Sequence, residues 1–215
     1  MIHKCVSKMG RDVNIEYTPK CSENEMTRSY TLKRRAEQQA TTRQRIVEAA
    51  VDLHGSVGPA STTVSMIAER AGVQRHTFYA HFPEERDLFL ACSGLAQERD
   101  PLPEATAWQA TKDPRKRLHT GLRALYDWYK RNAGLLACVL RDGEHHQLTR
   151  EIAELRFSGP MASYLHVLGE GLGAQQRAML GLALSFFTWR TLTQEGKLKQ
   201  DTAAAAMTKA IVSLK

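Results

Sequence analysis

Apolar and polar positions alternate along this chain with a helical period. Val64, Ile67, Ala68 and Ala71 fall at i, i+3, i+4 and i+7, one apolar helical face. Thr62 or Thr63 precedes them with a hydroxyl able to accept from an orphan backbone N–H. Gly72 follows, where a left-handed residue ends a helix at least cost. A second helix is predicted over Gln74–Phe82, with Phe78 and Phe82 on its inner face. Its outer face carries Gln74, Arg75, His76, Thr77, Tyr79 and His81. Two short helices on a tight turn over residues 63–82 read as a helix-turn-helix, whose second helix enters the DNA major groove. Ahead of the pair, Ile46, Ala49, Ala50 and Leu53 stripe a helix from about Thr41 to Val57, closed by Gly58-Pro59. Behind it, Pro83 and the acidic Glu84, Glu85 and Asp87 start a fourth helix, which Leu88, Phe89 and Cys92 carry toward Arg99.

The two prolines of Asp100-Pro101-Leu102-Pro103 make a stiff connector and divide the chain, with the DNA-binding part over 27–100 and a larger helical part over 101–215. Asp113-Pro114 starts a helix striped by Leu118, Leu122, Leu125 and Tyr129, ending at Asn132. Leu135, Leu136, Val139 and Leu140 mark a short helix ended near Gly143. Ile152 and Leu155 begin another, which Gly159-Pro160 is expected to interrupt before it resumes through Met161, Tyr164, Leu165 and Leu168. Gly169, Gly171 and Gly173 form a loop. Gln175–Gln194 is apolar on more than one face, so one long helix buried on nearly all sides is expected there. A last helix, about Asp201–Leu214, sets Met207, Ala210, Ile211 and Leu214 in register. The pattern predicts an all-α fold of about nine helices, with a three-helix helix-turn-helix domain joined to a larger helical domain.

Composition narrows the class of partner. The 215 residues carry a net charge of +7 and a pI near 9.4, which suits an anionic partner without identifying it as nucleic acid. Hydrophobic residues at 42% and charged residues at 25% are ordinary for a globular protein. No run of about 18 apolar residues points to a membrane, and the N-terminus lacks the apolar core of a secretory signal. Cys5, Cys21, Cys92 and Cys138 have no C-x-x-C spacing, so reduced thiols in the cytoplasm are expected. Residues 1–26 lack periodicity and read as a mobile tail, with Met26 an alternative start. Residues 27–45 hold six Lys or Arg against Glu37, a basic arm suited to the DNA backbone.

The run TTVSMIAERAGVQRHTFYAHFPEERDLF resembles the DNA-binding domain of the TetR family of bacterial transcriptional regulators. The shared landmarks are the Thr heading the second helix, Ile-Ala, Ala-Gly-Val at the turn, an aromatic-Tyr pair and His-Phe before the fourth helix. The likeness covers roughly residues 41–92. Glu85 stands where the family commonly has a phosphate-facing Lys, with Arg86 the candidate to take over that contact. His54 stands where the family usually has a core Phe. The resemblance implies DNA contacts from Arg43, Thr63, Gln74, Arg75, His76, Thr77, Tyr79 and His81. Arg75 and His76 are placed on base edges, since Arg suits guanine O6/N7, and Tyr79 and His81 on phosphate. It also implies that the larger domain binds a ligand and forms a homodimer through the last two long helices, with Leu182, Phe186, Met207 and Ile211 at the interface.

In the larger domain Tyr126, Tyr129, Tyr164, Phe187 and Trp189 are candidates for an apolar ligand pocket, although core packing explains each of them as well. Arg123, Arg156, His145, His146 and Arg190 are unranked polar partners. Asp142, Glu144, His145 and His146 resemble a metal cluster in composition only, because adjacent histidines point to different helix faces. No metal or cofactor is expected. The sequence thus reads as a cytoplasmic, ligand-responsive regulator, a repressor that binds a palindromic operator in double-stranded DNA as a homodimer. An activator of the same fold and a helical protein-binding adaptor remain open. So does an enzyme using Cys92 or Cys138, though no nucleophile–base motif supports it.

Overall fold

The computed structural model describes residues 22–214, with side chains from residue 30 onward. Within them are eleven α-helices, a 3-10 turn at Pro59–Ser61, a π-helical turn at Thr191–Glu195 and no strand. Residues 1–21, on which most of the expected tail falls, lie outside the described residues. Compactness divides the chain between Thr41 and Thr42. The first unit contributes the beginning of α1 (Ser22–Ser56). The helix therefore starts well before the Thr41 at which the apolar stripe places it. In this part Tyr30, Leu32 and the run Lys33–Arg35 are exposed. The stripe begins only at Ile46, so amphipathicity locates the buried half of α1 and misses the polar half.

In the second unit, the rest of α1 packs with α2 (Val64–Ala71), α3 (Arg75–His81) and α4 (Glu85–Arg99) around Ile46, Ala50, Ile67, Phe78 and Phe82. The connector Asp100–Pro103 lies inside this unit and is followed by a short helix, α5 (Thr106–Gln109), that periodicity over four residues could not reveal. The second core centres on α6 (Pro114–Arg131), capped by the Asp113 carboxylate on Arg115 N and Lys116 N. Leu118, Leu122, Leu125 and Tyr126 are fully buried there. Around α6 lie α7 (Ala133–Gly143), α8 (Gln147–Leu168), α9 (Ala174–Ala183), α10 (Phe186–Arg190) and α11 (Gln200–Ser213). Small residues allow the closest approaches. Ala203 and Ala204 of α11 are fully buried, and a Cβ on Gly121 of α6 would come within 2.6 Å of Leu168 Cδ2.

Two expectations fail. Helix α8 is not interrupted at Gly159-Pro160 but runs through both. Proline there removes the amide that would bond the Arg156 carbonyl, at a cost of about 3 kcal/mol. Ile152, Tyr164 and Leu168 are all buried in the single register that results, and three such side chains return about 1.5–3 kcal/mol each. Burial wins. Conversely, Gln175–Gln194 is not one helix. It breaks at Leu184–Ser185, where Ser185 is extended and its hydroxyl caps Phe187 N. Two buried tyrosines of α6 satisfy carbonyls at the break, Tyr126 Oη donating to Ala183 O at 2.8 Å and Tyr129 Oη to Leu184 O at 2.6 Å. The break resolves the all-round apolar pattern by turning Leu184, Phe186 and Trp189 inward while Leu182 and Phe187 stay outside.

Candidate nucleic-acid interface

The helix-turn-helix is set by three local devices. Thr63 Oγ1 accepts from Met66 N at 3.3 Å and starts α2. Gly72 ends it at φ 64°, a left-handed backbone that favours glycine. Arg45 of α1 then donates to the Ala71 and Gly72 carbonyls, tying α1 to the turn. Buried Phe78 and Phe82 hold α3 against the core, so its opposite side must face outward.

That side carries the residues expected to read DNA. Gln74, Arg75, His76 and Tyr79 are exposed, and Thr77 and His81 are half-buried. Thr77 Oγ1 lies 3.3 Å from His76 Nε2, and Tyr79 stands edge-on to Phe78 with ring centroids 5.5 Å apart. The Arg43 guanidinium sits 4.6 Å from the centroid of the Phe82 ring, a cation–π contact linking α1 to the end of α3. The structure thus gathers Arg43, Thr63 and the α3 set on the helix-turn-helix. Beside the exposed Glu85 at the start of α4, Arg86 stays half exposed, its Nη1 donating to Glu151 of α8 at 2.8 Å.

Sequence reasoning did not find the junction between the turn after α1 and helix α7. Asp142, 1% exposed, accepts from Ala60 N at 2.9 Å and from Arg141 Nε at 2.7 Å. Arg141 Nη2 reaches the Val57 carbonyl at 3.0 Å. Gly58, at φ 106°, fits beneath them only because it has no Cβ, which would fall 2.2 Å from Arg141 Nη2. Burial alone would raise the Asp142 pKa, but the bonds from Arg141 and Ala60 N–H outweigh it and hold the carboxyl below the usual carboxylate range. Asp142 is therefore a clamp and not a metal ligand. His146 likewise caps α8, its Nδ1 accepting from Thr149 N. Among the described residues no His, Cys, Asp and Glu group is arranged to hold a metal ion.

The tyrosines proposed for a ligand pocket are mostly core. Tyr126, Tyr129, Tyr164 and Trp189 are buried, the three hydroxyls spent on backbone carbonyls. An apolar cavity of about 90 Å³ lies elsewhere, between α1, α4, α6, α7 and α8. A wider groove of about 390 Å³ adjoins it, and Tyr129 and Phe187 line that groove. Of the four residues assigned to a dimer interface, Phe186, Met207 and Ile211 are buried in the chain's own core, and Leu182 alone is exposed, at 54%. The break turns Phe186 inward, and Met207 and Ile211 of α11 face the same core. Burial also pushes the Cys92 thiol up to about 12, which makes a poor nucleophile. No described helix is long and apolar enough to cross a membrane.

The sequence model of the bacterial regulatory proteins of the tetR family matches residues 46–92. No curated protein sequence matches the chain. Among solved structures, a transcriptional regulator from Rhodococcus sp. Rha1 is similar at 19% identity over 80% of this chain and 96% of that one, with a TM-score of 0.56. A TetR-family transcriptional regulator from Streptomyces coelicolor is similar at 16% identity over 80% and 79%, with a TM-score of 0.54. The multidrug binding protein EbrR complexed with imidazole is similar at 19% identity over 78% and 93%, with a TM-score of 0.53. At such identities the likeness is one of fold.

Proposed function

We propose that the chain is a TetR-family regulator, a reading its segment 46–92 and its fold support, and that it represses transcription from a palindromic operator as a ligand-responsive homodimer in the cytoplasm. The observation that carries the reading is the exposed polar face of α3, held outward by Phe78 and Phe82. On this reading residues 27–100 bind DNA and 101–215 dimerise and respond to a ligand. Arg75 reads a base edge through its fork of donors, while Arg43, Thr63, Tyr79 and His81 hold phosphates and Gln74, His76 and Thr77 complete the surface. Paired heads must meet half-sites about one DNA turn apart, or a multiple of it. A ligand that favours one spacing of the heads lowers operator affinity by shifting the population between spacings. The small molecule seen with EbrR is in keeping with such control.

Selection of bound duplexes from a random pool, repeated with Arg75→Ala, tests it. We expect an enriched palindrome that loses definition at one base pair per half-site in the variant, where the change costs about 1–3 kcal/mol. Weak, salt-sensitive binding without enrichment would leave only a basic helical protein.

A further inference from the structure

We propose that Arg86 is a DNA-backbone contact under the control of Glu151: in the free protein the carboxylate on α8 holds the guanidinium, and in the complex a phosphate takes it over. The proposal rests on the regulator reading above and names a regulation of its DNA site.

The charges at the start of α4 give Arg86 its weight. Glu84, Glu85 and Asp87 are exposed around it, and it is the one cation in the run Glu84–Asp87. This corner belongs to the reading head. Phe82, the residue that closes α3, is buried in the same core as Leu88 of α4. The Arg43 guanidinium lies over the Phe82 ring, four positions before Arg86. A DNA backbone that meets Arg43 and His81 therefore comes next to three carboxylates. Their repulsion is offset by a cation turned outward among them, and Arg86 is in place to supply it.

In the free chain that cation is kept by the larger domain. Arg86 Nη1 donates to Glu151 Oε2 at 2.8 Å, with 54% of the arginine and 41% of the glutamate side chain exposed. Gln147 Nε2 donates to Glu151 Oε1, also at 2.8 Å, and holds the carboxylate in position. These bonds, from Gln147 first and then Arg86, keep its pKa below the usual carboxylate range. Two features let DNA break the pair. It stands in water and is weak for that reason, while phosphate offers a guanidinium the same forked acceptor within a polyanion. Nor do α4 and α8 need it to stay together. Arg156 of α8 donates from Nη2 to Leu90 O at 2.9 Å and from Nε to Ser93 Oγ at 3.0 Å, further along α4. Arg86 can therefore change partner while the two helices remain docked. Glu151 and a phosphate repel each other, so the guanidinium does not hold both. Whatever strengthens its bond to Glu151 weakens DNA binding, and DNA in turn loosens this corner of α8.

The test is a double-mutant cycle on the full chain, read as affinity for duplex DNA over a range of salt concentrations. Arg86 meets a phosphate whatever the base sequence, so a selected operator and a random duplex are both measured. We expect Glu151→Gln to tighten binding about two- to fivefold, the strength of an exposed ion pair, and Arg86→Gln to weaken it. With Arg86→Gln already present, Glu151→Gln should change nothing. With Glu151→Gln present, Arg86→Gln should flatten the slope of log affinity against log salt by about one. Glu154→Gln is the control, removing the same charge from α8 where it lines the groove instead. All these side chains reach the surface, and thermal melting checks that each variant folds. Unaltered affinity in Glu151→Gln, an equal effect of that change with and without Arg86, an equal effect of Glu154→Gln, or an unchanged slope would each overturn the proposal. Operator selection without these shifts would leave the regulator and remove the control by Glu151. The shifts on a random duplex without selection would leave the control and remove the operator reading.

Discussion

His54 shows at the scale of one residue how a departure from the family pattern acts. It is 5% exposed, tilts against Phe89 with centroids 5.0 Å apart, and occupies a core place. Burial lowers its pKa from 6.5 to about 4. Between these values the unfolded chain binds a proton that the folded chain does not, so stability falls as pH drops from about 6.5 to 4, by about 3 kcal/mol in all. His54→Phe should flatten that part of the pH–stability curve, as read by denaturant unfolding at pH 7 and pH 5. An equal slope in both proteins would show that His54 does not titrate as its burial requires. The sequence exposed the substitution but not its consequence, which depends on Cys92, Asp142 and His146 coming near it from other elements.

At the scale of elements, legibility followed the strength of the local signal. Caps at Thr63 and Asp113, the left-handed Gly72 and the acidic start of α4 each act within one turn of helix, and each element began or ended where its own residues said. Helix α8 and the α9–α10 break went the other way because the deciding partners are remote. Tyr126 and Tyr129 lie more than fifty positions from the carbonyls they satisfy. The Asp142 clamp is also nonlocal, joining α7 to the turn after α1 across 82 positions. Asp142→Ala should lower stability by about 1–3 kcal/mol, the cost of an orphaned donor, and speed hydrogen exchange at the Ala60 amide. An unchanged exchange rate would rule the clamp out. Because the folded carboxyl is held below its ordinary 3.8, its stabilisation is complete above about pH 4 and is lost as pH falls below that.

For the whole molecule, the polar face of α3 was visible in the sequence, whereas the residues assigned to a dimer face could not be told from core. A face that meets DNA keeps its polar residues outside in the isolated chain, so pattern alone finds it. An apolar face for a partner looks like core, and Phe186, Met207 and Ile211 proved to be core. Beyond α5, the large apolar side chains that are exposed among the described residues are Leu155 and Leu165 on α8, Leu182 on α9, Phe187 on α10 and Val212 on α11. On the dimer reading, Leu182→Glu should shift sedimentation toward the monomer and weaken palindrome binding at least tenfold while leaving the melting of the isolated chain little changed. A dimer that survives this variant would move the interface away from α9.

Pro160 has a consequence in time. Helix α8 lacks the backbone bond from residue 160 to Arg156, one position before the Phe157 that lines both cavity and groove. A helix short of one rung at that point can bend there without unfolding. Motions of that kind run in microseconds to milliseconds. Local opening of α8 should therefore be far faster than global unfolding, and Pro160→Ala, which restores the rung, should slow hydrogen exchange of the amides in the flanking turns; an unchanged rate would show that α8 does not flex there.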